Sequence, residues 1–250
     1  MSELSDKIVT YRAKNGISQT QFAKLCGVSY QTINSIENGR QDPSKVTKRK
    51  IELVLGRFCV EKQASGKDYN KLITNTLLST EIGGINALLK RMEEIGYFTA
   101  PCSGGNHLAK EGGLAEHSWN VLQVMTNLAD ALEVAIPSRS IILTALFHDL
   151  GKCGDHGKAN YTPNILKSGE QSTKKPFETN KDLLYVPHEV RSIKIASEYI
   201  SLTEDEEWAI LMHNGLYGDF KYSIQGKETP LYLLLHTADM WASRVIEKEE

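Results

Sequence analysis

The sequence predicts an all-α protein in which a small module of about five helices precedes a bundle of seven to nine helices with a long polar insertion. Three observations support this fold class. Apolar residues recur at helical spacing through most of the 250 residues. One stretch, at residues 154–185, is polar and proline-containing and has no sustained periodicity. The charge balance also changes sign after the first quarter of the chain.

That change in charge predicts two domains. Residues 1–66 carry 11 Lys or Arg and 6 Asp or Glu, whereas the rest of the chain is acidic overall. The polar, glycine-containing segment at residues 63–70 lies at the change and is predicted to be the linker. We therefore expect a first domain over residues 1–62 and a second over residues 71–250. The basic charge of the first suggests a polyanionic partner.

Composition excludes several classes of protein. The hydrophobic content of 40% and the charged content of 24% are ordinary for a globular protein. The four cysteines include no C-x-x-C pair, so they predict reduced thiols rather than a disulfide framework or a zinc knuckle. The chain begins without a signal-peptide pattern and has no apolar stretch long enough to span a bilayer. We expect a cytoplasmic protein without a membrane partner.

The segment at residues 19–40, QTQFAKLCGVSYQTINSIENGR, has the pattern of two short crossing helices. Ala23 is small where the helices would cross, and Gly27 stands at the turn, where a left-handed backbone is needed. The segment resembles the Cro/repressor (XRE-like) class of helix-turn-helix proteins, over about the first 60 residues. This resemblance implies contact with double-stranded DNA through Gln19, Ser29, Tyr30, Gln31, Asn34 and Arg40.

Within that set, Gln31 suits a bidentate contact with an adenine edge, and Arg40 suits a phosphate. The second helix is not strongly basic, which leaves a dimerisation module without DNA binding as the alternative. Helix-turn-helix proteins normally bind DNA as dimers, so a homodimer belongs to the DNA-binding interpretation.

The second domain carries metal-binding side chains in the order H…HD…H…H…D. A lone histidine in an apolar helix is usually a core residue, and His107, His156 and His236 have that interpretation. Context favours ligands elsewhere: Asp239 lies in an apolar helix, where an unpaired carboxylate is costly. The HD dipeptide follows an apolar helix that Gly151 is expected to end. The pattern predicts divalent metal ligands at His117, His148, Asp149, His188, His213 and Asp239.

The ligand order and the stretch H-x-A-x-E-G-G-L-x-E-H-S at residues 107–118 resemble the HD superfamily of metal-dependent phosphohydrolases, over roughly residues 95–245. The stretch is also similar to bacterial HD-family hydrolases and to the HD part of a 3′-5′ exoribonuclease family. The resemblance implies that His117, expected in the first turn of its helix, holds a first ion together with His148, Asp149 and Asp239.

The same resemblance implies a second ion on His188 and His213, with Asp149 as the bridge. A long insertion precedes His188, so a mononuclear site, as in the nucleotidase branch, stays open. The identity of the metal (Mn, Fe, Mg, Ni, Co or Zn) is open as well.

The chemistry implied is hydrolysis of a phosphomonoester or phosphodiester by a metal-bound hydroxide, in a nucleotide or short oligonucleotide. Asp149 would bridge the ions. Lys152 follows the dipeptide by three residues and could reach a phosphate, and Arg191 follows His188 by three residues on the same helix face. The insertion at residues 154–185 lies between two ligands and is far longer than a routine connection, which predicts a lid.

Two alternatives remain. The ligand order also resembles that of HD-type mixed-valent di-iron oxygenases. The chain could instead be a DNA-binding transcriptional regulator whose HD domain senses a nucleotide. The HDLGK sequence, the basic lid and the helix-turn-helix favour a phosphohydrolase, and the complete ligand set argues against a pure sensor.

Overall fold

The computed structural model describes residues 3–57 and 68–248. It is mostly helical, as predicted, and its contacts divide the chain into two units, Met1–Ser65 and Gly66–Glu250. Most of the predicted linker, residues 63–67, lies outside the described residues, and a helix already begins at Tyr69. Within the described ranges, no helix has the length and hydropathy needed to cross a membrane.

The described part of the first unit has four helices rather than five: α1 (Glu3–Asn15), α2 (Gln19–Cys26), α3 (Tyr30–Glu37) and α4 (Lys45–Arg57). A fifth would have to lie outside the described residues. Ile8, Phe22, Ile33 and Ile51 are fully buried at the centre of this unit. Gly27 ends α2 in the left-handed conformation that the turn was predicted to need.

The described part of the second unit has seven α-helices, within the predicted range. Helix α7 packs against α8 and α11, and α10 packs against α8, α9 and α11. A π-helical turn, Ala242–Ile246, continues the last helix. The helices are α5 (Tyr69–Leu78), α6 (Ile85–Glu94), α7 (Gly113–Ala131), α8 (Ser138–Phe147), α9 (His188–Ser197), α10 (Glu204–Met212) and α11 (Pro230–Trp241).

The polar insertion contains no helix but folds into two small antiparallel pairs of strands. Strand β1 (Gly154–Asp155) pairs with β2 (Lys158–Ala159), and β3 (Tyr161–Pro163) pairs with β4 (Phe177–Thr179). The sequence did not predict these strands, because two or three residues are too few to show an alternating pattern. The amide of Phe177 donates to the carbonyl of Gly104 (3.1 Å), which joins the insertion to the loop at residues 103–107.

Gly151 has a role other than the one expected. Helix α8 ends at Phe147, before the dipeptide, and Gly151 lies in a 3-10 turn, Leu150–Cys153. A Cβ atom at this position would lie 2.2 Å from the carbonyl oxygen of His188. The glycine therefore allows α9 to approach the turn closely, which brings the start of α9 next to the HD dipeptide.

Candidate metal centre

The six predicted ligands come from separate elements and meet inside the second unit. His148 and His213 follow the last residues of α8 and α10, and His188 is the first residue of α9. His117 was expected in the first turn of its helix. It lies in the second turn of α7, because that helix begins earlier than expected, at Gly113. Helix ends therefore aim several of these side chains at one point.

The carboxylate of Asp149 lies between two pairs of histidines. Its Oδ1 atom is 3.1 Å from Nε2 of His188 and 3.6 Å from Nε2 of His213. Its Oδ2 atom is 3.5 Å from Nε2 of His117 and 3.4 Å from Nε2 of His148. Each pair and its oxygen form a group compact enough to hold a metal ion.

Backbone carbonyls orient two of the rings. Nδ1 of His148 lies 2.9 Å from the carbonyl oxygen of Ala145, and Nδ1 of His213 lies 2.7 Å from that of Ile210. A carbonyl oxygen can only accept, so Nδ1 carries a proton in both rings, and in the neutral form of each ring Nε2 keeps its lone pair. The Nε2 atoms are the ones that face Asp149, as metal ligands would.

A carboxylate orients His117 in the same way. Nδ1 of His117 lies 3.0 Å from both side-chain oxygens of Glu247, and Asn120 donates to one of these oxygens at 3.0 Å. On the other side of the ring, Nε2 is 3.2 Å from Oδ1 of Asp239. A carboxylate behind a histidine is a common arrangement around metal ions, where it fixes the ring and raises its basicity.

The carboxylates of the centre are charged and incompletely satisfied. Burial opposes ionisation of Asp149, but Lys152 and His148 hold its pKa well below the usual value. Burial also opposes ionisation of Asp239, but the hydrogen bond with His117 and the charges of the surrounding histidines together lower its pKa. Oδ1 of Asp149 is buried without a hydrogen-bond partner. Such an atom is costly unless a cation satisfies it, and oxygen with imidazole donors fits a divalent ion.

A cavity of about 430 Å³ opens onto this centre. It is polar, and its cations are Lys152 and Arg244. The remaining lining residues are Asn106, His107, His213, Asn214, Tyr217, His236, Asp239, Met240 and Ser243.

Two predicted substrate-orienting cations lie in different places. Nζ of Lys152 is 2.6 Å from Oδ2 of Asp149, at the wall of the metal cavity. Arg191 is buried, donates to the carbonyl of Leu184 (3.1 Å) and lines a separate cavity between the insertion and α9. The structure therefore brings Lys152 to the centre and does not bring Arg191 to the same cavity.

On the helix-turn-helix, four of the predicted DNA-contacting residues are exposed: Ser29, Tyr30, Gln31 and Arg40. The hydroxyl of Ser29 also caps α3 by accepting from the amide of Thr32. No described residue binds the side chain of Gln31, which leaves its amide available to a base edge.

The other two residues bond each other. Nε2 of Gln19 donates to Glu37 at 2.6 Å, and Oε1 of Gln19 accepts from Asn34 at 3.2 Å. Glu37 is buried and forms an ion pair with Arg12 at 3.1 Å. Gln19 and Asn34 therefore belong to a network that ties α2 to α3.

Comparisons with known proteins agree with both parts of this description. A helix-turn-helix family model matches residues 8–57, and an HD-domain model matches residues 114–235. The chain therefore has a helix-turn-helix region followed by a region that matches the HD domain. It is 42% identical to an uncharacterized HTH-type transcriptional regulator of Methanocaldococcus jannaschii over 53 residues, 21% of this chain and 80% of that protein. No solved structure matches the chain.

The HD domain implies metal-dependent hydrolase activity, and the helix-turn-helix implies DNA binding. At this centre, sequence reasoning missed Glu247, Asn214 and Arg244. It also treated His107 and His236 as core residues, although both line the metal cavity. Burial lowers the pKa of His107 to about 4, so that ring is neutral at physiological pH.

Proposed function

We propose that the protein is a phosphohydrolase that cleaves a phosphate ester of a nucleotide or short oligonucleotide, and that its first domain binds double-stranded DNA. The observation that carries the catalytic proposal is the carboxylate of Asp149, whose two oxygens face two different pairs of histidines. A single buried carboxylate between two ligand sets is the arrangement that a binuclear metal site requires.

The donor sets follow from these distances. Oδ2 of Asp149 would serve one ion with His117, His148 and Asp239, and Oδ1 would serve a second with His188 and His213. When bound, such a pair of ions lowers the pKa of a water toward neutrality and neutralises charge that develops on phosphoryl oxygens.

The chain's own cations favour a phosphate substrate over the dioxygen chemistry of the di-iron oxygenases. Burial disfavours the charged form of Lys152, but Asp149, with smaller contributions from Cys102 and Tyr161, holds its pKa above the usual value, so its ammonium stays charged. The guanidinium of Arg244 lies 4.9 Å from the ring centre of Tyr217, and no described carboxylate lies within ion-pair distance of it. Two cations at the wall of the cavity would orient a phosphate, and the exposed ring of Tyr217 offers a face to a base.

The proposal that the first domain binds DNA rests on two exposed side chains. Gln31 would contact a base edge, and Arg40 would bind a phosphate. Ser29 and Tyr30 lie beside Gln31 and would contact the same groove. We assign Gln19 and Asn34 to the network with Glu37, from which they would position α3 instead of reading bases.

The test is metal content of the purified protein, followed by phosphate release and product analysis on a panel of nucleotides and short oligonucleotides with Mn²⁺. About two metal ions per chain with turnover of a nucleotide substrate supports the proposal. Two irons without hydrolysis would indicate the oxygenase instead. Absence of both metal and turnover would leave a DNA-binding regulator with a sensor domain.

A further inference from the structure

Another cavity, of about 380 Å³, adjoins the metal cavity and differs from the one that Arg191 lines. We call it the second cavity. It lies between the polar insertion and the loop at residues 103–107. Its wall includes Gly104, Gly105, Lys174 and Lys175, and Asn106 belongs to both cavities. A volume of this size can hold a small ligand group.

The second cavity is positively charged. Its lining contains two lysines and no acidic residue. No described carboxylate lies within ion-pair distance of either ammonium. Other lysines near the insertion are engaged, since Lys158 donates to the carbonyl of Asp182 and Lys194 pairs with Asp155. Lys174 and Lys175 are thus free to bind an anion.

Backbone amides of the loop at residues 103–107 also favour binding of an anion in this cavity. A Cβ atom on Gly105 would lie 3.0 Å from the carbonyl oxygen of Lys174 and 3.2 Å from the side chain of Lys175, so the loop and the lysines are in close contact. The amides of Gly104 and Gly105 donate no hydrogen bond in the part of the chain that the structure describes. Free backbone amides beside ammonium groups are suited to phosphate oxygens.

An aromatic surface faces the same space. Tyr161 pairs with Thr179 and Pro163 pairs with Phe177 in the β3–β4 hairpin, so Tyr161 and Phe177 are diagonal neighbours on one face. Both line the cavity. Asn106 lines this cavity and the metal cavity, so the aromatic surface lies beside both the lysines and the metal cavity.

We propose that this cavity binds the second nucleotide unit of an oligonucleotide substrate while the first unit lies at the metal centre. Lys174 and Lys175, with the amides of Gly104 and Gly105, hold the phosphate of the second unit, and Tyr161 and Phe177 contact its base. The inference rests on the proposed function, because it takes the metal cavity to hold the first unit. It specifies the substrate class as an oligonucleotide rather than a free mononucleotide.

The experiment compares three substrates on the full chain with Mn²⁺: AMP, 5′-phosphorylated diadenylate and ATP. The variant is Lys174→Gln with Lys175→Gln. The matched control is Lys167→Gln with Lys181→Gln, which changes two exposed lysines of the same insertion that do not line the cavity. Equilibrium dialysis of each substrate in EDTA gives affinities that do not depend on turnover.

We expect the variant to lower kcat/KM for the dinucleotide, relative to AMP, by about tenfold, as for loss of charge-assisted hydrogen bonds. The control should leave that ratio within about twofold. An unchanged ratio in the variant overturns the inference. A loss confined to ATP also overturns it, because the second phosphate would then belong to a polyphosphate.

Dialysis separates this inference from the proposed function. If the wild type hydrolyses nothing but binds the dinucleotide more tightly than AMP, and the variant loses that preference, the second cavity is a nucleotide subsite and only the hydrolase proposal fails. If the wild type hydrolyses AMP but shows no preference for the dinucleotide in either assay, the hydrolase stands and the subsite is wrong.

Discussion

In the candidate metal centre, one predicted side chain has a buried oxygen without a hydrogen bond, whereas on the helix-turn-helix two of the predicted polar side chains bond each other. Oδ1 of Asp149 is buried without a hydrogen bond. Gln19 instead uses both ends of its amide, on Glu37 and Asn34. We take the unpartnered oxygen of Asp149 as support for a metal ligand, and the paired amide of Gln19 as support for a structural role.

The largest effect is expected for Asp149→Asn, and the chain offers a matched control at Asp155. Both aspartates are buried, and each accepts from a lysine at 2.6 Å. They differ at the second oxygen: Oδ1 of Asp155 accepts from the amide of His156 and from Arg91, whereas that of Asp149 has no partner.

Asp149→Asn should lower kcat/KM on the best nucleotide substrate by about a thousandfold or more, since metal-ion catalysis contributes several kcal/mol. Bound metal should fall below two ions per chain. Asp155→Asn should lower the melting temperature and leave metal content at the wild-type value. Retention of both ions by the Asp149 variant would show that its oxygens are not bridging ligands.

A smaller effect is expected for Glu247→Gln. Glutamine can still accept from Asn120 but does not supply the negative charge behind His117. Loss of such a supporting carboxylate typically weakens metal binding about 10- to 100-fold. Calorimetric titration of the metal-free protein with Mn²⁺ measures this, with the exposed Glu207→Gln as the control. Equal Mn²⁺ affinities for the two variants would show that Glu247 does not support metal binding through His117.

On the helix-turn-helix, Gln31→Ala should weaken binding to a DNA site selected by the wild type from a random pool, by about tenfold. Its melting temperature should not change, because no described residue binds this side chain. Fluorescence anisotropy with the selected site measures the affinity. Wild-type affinity in this variant would favour the interpretation of the domain as a dimerisation module.

Gln19→Ala should act on stability instead. Removing the amide breaks two hydrogen bonds and should cost about 1 kcal/mol in the free energy of unfolding of the first domain. Denaturant titration measures this. If the denaturation midpoint is unchanged and DNA binding is weaker, Gln19 contacts DNA, as the sequence predicted.

Residue order in the sequence was enough to predict which six side chains meet, because each falls at a helix end or within an apolar helix. That they bind metal ions stays a prediction. Residue order was not enough to predict Glu247. That residue stands in the charged run at residues 247–250, which is typical of a solvated surface. Only the π-helical turn, Ala242–Ile246, brings its carboxylate to His117.

Arg191 was predicted to reach the metal centre and does not line its cavity. Both residues lie within α9, so a spacing of three does place Arg191 on the face of His188, but a shared face does not fix where a long side chain ends. The carbonyl of Leu184, in the segment that precedes the helix, holds the guanidinium instead. Contacts from outside a helix decide such cases, and a sequence pattern does not contain them.

Anomalous diffraction at the manganese edge, from crystals of the full chain grown with Mn²⁺, would show whether Asp149 bridges two metal ions. We expect two anomalous peaks, one at Oδ2 of Asp149 beside His117 and His148, and one at Oδ1 beside His188 and His213. A single peak, or two peaks away from Asp149, would contradict the bridging role.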